Sequence, residues 1–258
     1  MKPLWTGAIG FGLVNIPVKL FSATESSNLD LDMLDKKDHS HIRFMRVNEK
    51  TGKEVKWENI VKGFMINDKY VLLDDKDFEK ANAVKTKLIE ISDFVNADEI
   101  NSAYYETPYY LQPDKSGSRP YALLREALIK TKKVGIASFV MRNRENLAIL
   151  RAQDDVIILN RIRFAEEIRP TAELELPKKS TIKAAELKMA ITLINQLSGA
   201  FNIEKYKDTY SAQLMKFIKA KAKGKAVPAP HMKVVHSKTQ DLMEQLKASL
   251  DSKKKKAS

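Results

Sequence analysis

The chain has no cysteine. This one absence removes disulfides, cysteine nucleophiles and thiolate metal sites together, and it suits a reducing compartment. Histidine is nearly as scarce, with four residues: His39 and His41 lie close together, while His231 and His236 sit far off in a basic tail. A zinc site needs three or four ligands, so solvated loop histidines are the better account. No apolar run approaches the ~18 residues of a membrane span. The first residues also lack the basic-then-apolar order of a secretion signal. The expectation is a cytosolic protein that uses no metal, no cofactor, no membrane and no small-molecule substrate.

Only nine glycines occur, and three fall in "GAIGFGLVNIPVKLF", residues 7–21. They are not a phosphate cradle. A dinucleotide fingerprint needs glycines at i, i+2 and i+5, which neither Gly7 nor Gly10 provides, and no Gly-Lys-Ser/Thr ending follows. Both kinds of loop must also open a helix, whereas Val14, Ile16, Pro17 and Val18 favour extended chain. We read residues 4–22 as strand, with Trp5, Ile9, Phe11 and Leu13 on a bulky face and Thr6, Ala8, Gly10, Gly12 and Val14 on a small one.

What the chain has in excess is positive charge, and it is unevenly placed. The formal net charge is +12, of which +8 falls between Lys219 and the C-terminus. A near-balanced body therefore carries a cationic arm that seeks polyanions. "AKAKGKAVPAP" has no large apolar side chains to insert beside its lysines, which argues against a membrane surface.

Many short strands fill the first 165 or so residues: "HIRFMRV" and "KEVKW" joined through "NEKTG", "GFMI" and "YVLL" around Asn67-Asp68, then "TKLIEI", "PYYL", "GIASFVMR", "LAILR" and "VIILNRIRF". Such a series predicts a barrel or curved sheet. The helix "RPYALLREALIKTKK" interrupts it, with Tyr121, Leu124 and Leu128 facing inward. Residues 181–222 read as helical, with Leu187, Ile191, Ile194 and Leu197 on one stripe ending at Gly199 and Leu214, Phe217 and Ile218 on another, both read as core packing. A basic linker follows, and then a short amphipathic helix whose Ser237 and Gln240 have capping-box spacing. That helix is too short to be stable alone. It folds on a partner, with Leu242, Met243, Leu246 and Leu250 as its apolar anchors, or docks back on its own body.

The stretches "LWTGAIGFGLVNIPVKLFSAT", "IRFMRVNEKTGKEVKWENIVKGF", "PYYLQPDKSGSRPYALLREAL", "VGIASFVMRNRENLAIL", "RFAEEIR" and "KYKDTYSAQLMKFIKAKAKG" occur in this order. In that order they resemble the bacterial Ku family of non-homologous end joining, from Leu4 to Leu250. Many relatives carry two cysteines in the turn that reads "NEKTG" here, so any role of those thiols is absent. The resemblance implies a β-rich α+β fold: a Ku-type β-barrel core with arm hairpins that form a DNA-encircling ring in the homodimer, a helical C-terminal arm and a basic tail. The corresponding domains are residues 1–180, 181–222 and 223–258. It also implies a non-catalytic protein of the bacterial cytoplasm and nucleoid, which threads onto double-stranded DNA ends without reading sequence and recruits ligase D through its C-terminal region.

The chemistry of the residues is compatible with that. No nucleophile–base pair can be named, and Asp30, Asp32, Asp35 and Asp38 fail as a calcium loop because Leu34 and Asp35 stand where a ligand and a glycine are required. Binding duplex without reading sequence needs cations aimed at phosphates. The candidates are Arg43, Arg46, Lys50, Lys53 and Lys56 on the "NEKTG" hairpin, Arg125, Lys132 and Lys133 on or after the helix, Arg142 and Arg144 at a turn, and Lys253, Lys254, Lys255 and Lys256 in the tail. Two rivals stay open: a general nucleic-acid-coating protein without end preference, and a metal-dependent nuclease.

Overall fold

The computed structural model describes residues 1–81, 87–142, 144–177 and 182–225. They form two compact units: one from the described residues of 1–26 and 30–170, the other from residues 27–29, 171–177 and 182–225.

The first unit is built on strands β1 (Trp5–Phe11), β2 (Val14–Ser22), β3 (Lys62–Ile66), β4 (Lys69–Leu73), β5 (Leu88–Asn96), β6 (Tyr105–Pro113), β7 (Lys133–Met141), β8 (Arg144–Gln153) and β9 (Val156–Ile162). It also holds helices α1 (Asp75–Ala81) and α2 (Ser118–Thr131). Seven of the strands close into a barrel in the order β1-β2-β6-β9-β8-β7-β5. The closing β1–β5 pair is parallel, and every other barrel pair is antiparallel.

Residues 4–22 are therefore a hairpin and not one strand. Phe11 pairs with Val14, and between them Gly12 takes φ +57°, a left-handed conformation that costs glycine little. Leu13, placed on the bulky face by period two, stands fully exposed at the turn. Gly7 lies on that same bulky face because nothing larger fits: a Cβ there would collide with the Trp5 indole and the Lys87 carbonyl.

Alternation along the strands fills the barrel. Ile9, Ile16, Val18, Leu20, Ile89, Ala148, Leu150, Ile157 and Leu159 are all fully buried within one cluster. Tyr121, Leu124 and Leu128 of α2 join it. They enter where β2 and β9 begin and β6 and β8 end, so α2 stoppers one end of the barrel. A smaller cluster of Val134, Ile149 and Ile162 packs under residues from Val95 to Tyr105. The helix reading ran to Lys133, but Lys132 is left-handed at φ 56° and Lys133 already opens β7. Helix α1 had no counterpart in the sequence reading.

From residue 30 to residue 73 no side chain is buried. "HIRFMRV" and "KEVKW" are not a ribbon: Val47 and Glu54 form an isolated bridge instead of a ladder. The turn itself is well made. Asn48 Oδ1 accepts hydrogen bonds from the Lys50 and Thr51 amides at 3.0 Å, and Gly52 is left-handed. Beyond it the flanking side chains face no layer that could bury them, and a lone two-stranded pairing is marginal in water. Strands β3 and β4 do pair, across the left-handed Asn67 and Asp68.

In the second unit lie α3 (Ala184–Leu197) and α4 (Thr209–Ala222). The Asp208 carboxylate caps α4 by accepting from the Ser211 amide at 3.1 Å, and that interaction with Ser211 holds its pKa below the ordinary value. The core reading of the α3 stripe is corrected: Leu187, Ile191, Ile194 and Leu197 are each about half exposed or more. Neither helix contains a buried residue among the described residues. Among the described residues no helix is long and apolar enough to cross a membrane.

Candidate nucleic-acid interface

The arm carries the first group of cations. Arg43, Arg46, Lys50, Lys53 and Lys56 are all exposed, and no ion pair engages any of them among the described residues. Arg46 stacks on Trp57, its guanidinium carbon 4.7 Å from the ring centroid. A guanidinium that lies over an indole makes no hydrogen bond to the ring, which leaves its N–H groups available to an anion. The acidic residues just before them fold back locally: Asp38 accepts from the Ser40 hydroxyl at 2.7 Å and from its amide at 3.0 Å. The hydroxyl contact, with the amide behind it, lowers the Asp38 pKa.

The second group lies on the barrel, and its members differ. Lys132 and Lys133 are exposed where α2 hands over to β7. Arg125 is engaged within the fold: it donates to Glu126 at 2.8 Å and to the Asp155 carboxylate at 3.3 Å and carbonyl at 3.2 Å. That geometry ties α2 to the β8–β9 turn and leaves Arg125 poorly placed for phosphate. Arg142 and Arg144 flank the β7–β8 turn, are exposed, and have no ion pair among the described residues.

Structure adds residues that the sequence reading passed over. Glu106 on β6 accepts from Arg161 Nε at 2.6 Å with one oxygen and from Arg163 at 3.0 Å with the other. Arg161 lies with Arg142, Arg144 and Glu106 around a cavity of about 360 Å³ at the barrel end opposite α2. The signal was present in "VIILNRIRF", where two arginines at spacing two share one side of a strand. Their partner Glu106 is distant in sequence, and only strand pairing brings it near. The remaining candidates, Leu242, Met243, Leu246, Leu250 and Lys253 to Lys256, lie outside the described residues. Among the described residues no three His, Asp or Glu side chains come together as a metal site.

A closed, strand-rich barrel with cations on its rim and on a core-less arm that are unpaired among the described residues defines a class of β-barrel protein whose exposed charge suits a polyanion. Residues 10–189 match the family model of the Ku70/Ku80 β-barrel domain. The chain belongs to the Ku family. It is 45% identical to a non-homologous end joining protein Ku from Cupriavidus necator over 84% of its own length and 66% of that protein's. It is 40% identical to the corresponding protein of Coxiella burnetii, covering 98% of this chain and 96% of that one. A Ku protein of Archaeoglobus fulgidus is 38% identical over 98% of this chain and all of its own. The chain thus spans about two thirds of the Cupriavidus relative and nearly the whole of the other two.

Proposed function

We propose that this protein acts in non-homologous end joining as a non-catalytic subunit that binds double-stranded DNA ends, as a homodimer threaded onto the duplex, and brings ligase D to the break from its C-terminal region. Membership of the Ku family, whose named relatives are end-joining proteins, supports the process. Its place of action is then the bacterial cytoplasm, on the nucleoid.

The single observation that carries the mechanism is the arm. Phe44 is 80% exposed, Trp57 71%, Phe64 64% and Tyr70 67%, and no side chain from residue 30 to 73 is buried. Large apolar side chains exposed in such number along one segment mark an interaction surface, so the arm is built to be covered. A second copy covers it most simply, since symmetric dimers are the commonest assembly. Two arms packed together close a loop around whatever lies between them, and the unpaired cations of the arm then face phosphates without reading bases.

Band-shift titration of the full chain on equal-length duplexes tests this. Linear duplex should be shifted, while closed circles and duplexes blocked at both ends should not. Equal binding to all three marks a coating protein, and cleavage in magnesium or manganese marks a nuclease.

A further inference from the structure

We propose that the open mouth of the barrel holds one phosphate group of a nucleic-acid strand between Arg142 and Arg144, an inference that rests on the duplex-binding reading above. The mouth is the end that α2 leaves unstoppered. Strand register gathers there the β7–β8 turn, where Met141 pairs with Arg144, the first residues of β6 and the last of β9, where Tyr105 pairs with Ile162. Between them lies the cavity of about 360 Å³, near the lower end of the size range for ligand sites.

The carboxylates that line it are mostly committed elsewhere. Glu106 is bracketed by Arg161 and Arg163, and Glu167 accepts from the Phe164 amide at 2.7 Å. Glu145 alone faces the cavity without a partner of this kind, whereas neither the Arg142 nor the Arg144 guanidinium has a hydrogen bond or ion pair among the described residues. The mouth therefore keeps two free planar forks beside one free carboxylate. Two such forks suit the several acceptor oxygens of one phosphate better than any single carboxylate.

The backbone points the same way. Arg142 has φ 53°, a left-handed conformation in which asparagine and glycine are favoured over arginine. Folding alone would be better served by asparagine there. Glu145 weakens the hold on free anions. The site thus fills only when a strand bound elsewhere on the protein presents its phosphate.

The test uses the full chain and four variants: Arg142→Asn, Arg144→Gln, the two together, and Arg142→Lys with Arg144→Lys. Duplex affinity is titrated against salt, and thermal midpoints are recorded. Each single variant should weaken duplex binding by about tenfold. Each should leave the salt slope nearly unchanged, because the arginine that remains still neutralises the phosphate. The double variant should lower the slope by about 0.9 for each mouth that engages the duplex, since both arginines hold one phosphate, and the double lysine variant should recover part of the affinity. Arg142→Asn should hold or raise the thermal midpoint while losing affinity, which a purely structural role would not produce.

Duplexes bearing a 5′-phosphate or a 5′-hydroxyl locate the group. Equal affinity assigns an interior backbone phosphate, and a tenfold loss with the hydroxyl assigns the strand terminus. Unchanged affinity in the double variant, or single variants that each lower the slope by half of the double's loss, overturns the shared site while leaving duplex binding by the wild type intact. Failure of the wild type to bind any duplex overturns the reading beneath it as well.

Discussion

The Ile157 amide donates a hydrogen bond of 2.7 Å to the Tyr121 hydroxyl, which in turn donates to the Leu111 carbonyl at 2.7 Å. One phenol from α2 thus satisfies two backbone groups at the stoppered end of the barrel, where β6 ends and β9 begins. Tyr121→Phe leaves a buried amide and a buried carbonyl without partners. We expect a loss of about 1–3 kcal/mol in urea unfolding, with duplex affinity of the folded protein unchanged.

The same phenol gives a pH signature. Burial raises the Tyr121 pKa, and the hydrogen bond from Ile157 offsets only part of the rise. The unfolded chain titrates near about 10, so the folded protein retains a proton that the unfolded chain releases. The contribution is whole below that pH and is lost as pH climbs from there through the raised folded value. The stability gap between wild type and Tyr121→Phe should therefore narrow above about pH 10. A gap that widens would contradict this account of the stopper.

The exposed aromatic residues of the arm predict a change in assembly without a change in fold. Phe44 and Phe64 contribute nothing to the barrel core. Replacing both by serine should shift a dimer to monomers by sedimentation and leave the thermal midpoint of the barrel in place. A dimer that persists in the doubly substituted protein would put the interface elsewhere.

The arm cations act on DNA by charge. Changing Arg43, Arg46 and Lys53 to glutamate should abolish duplex binding while the dimer survives, since exposed charges add little to folding. In the wild type, an interface that neutralises about six to ten phosphates should lose about 10³ to 10⁵ in affinity between 50 and 200 mM salt. Normal binding by the triple variant would remove the arm from the interface.

The barrel was legible because a series of short β-branched and aromatic runs bounded by turn residues is a local signal, and Tyr121, Leu124 and Leu128 announce the inner face of α2. Two kinds of feature were not. The extended reading of 4–22 missed a turn because Gly12 and Leu13 interrupt an otherwise uniform run of strand-forming residues. The ribbon reading of 41–57 failed because a good turn at Asn48 does not by itself supply a layer to bury its flanks. The Glu106 bridge to Arg161 and Arg163 depends on register between β6 and β9, which composition does not encode. Likewise, the half-exposed α3 stripe looked like core because periodicity reports an apolar face and not what covers it.

The two functions proposed for the C-terminal region should separate, since its lysines offer charge without shape and Leu242, Met243, Leu246 and Leu250 recur at helical spacing in the sequence. Removing residues 253–258 should reduce non-specific DNA affinity and its salt slope, with stimulation of ligase D retained. Leu242→Asp with Leu246→Asp should do the reverse, because a helix that docks in a groove loses its anchors when they become charged. End joining at the wild-type rate by the double aspartate would leave the helix to self-docking.

Threading itself is tested most directly by topology. The full chain is loaded onto a linear duplex of a few hundred base pairs, the ends are then joined covalently into a circle, and the sample is washed in high salt. Salt removes a protein held only by phosphate contacts, but it cannot release a closed ring from a closed circle. The account predicts that the protein stays on circles sealed after loading, leaves them once one cut is made, and never loads onto circles sealed beforehand. Equal loss from linear and sealed DNA in the wash would contradict it.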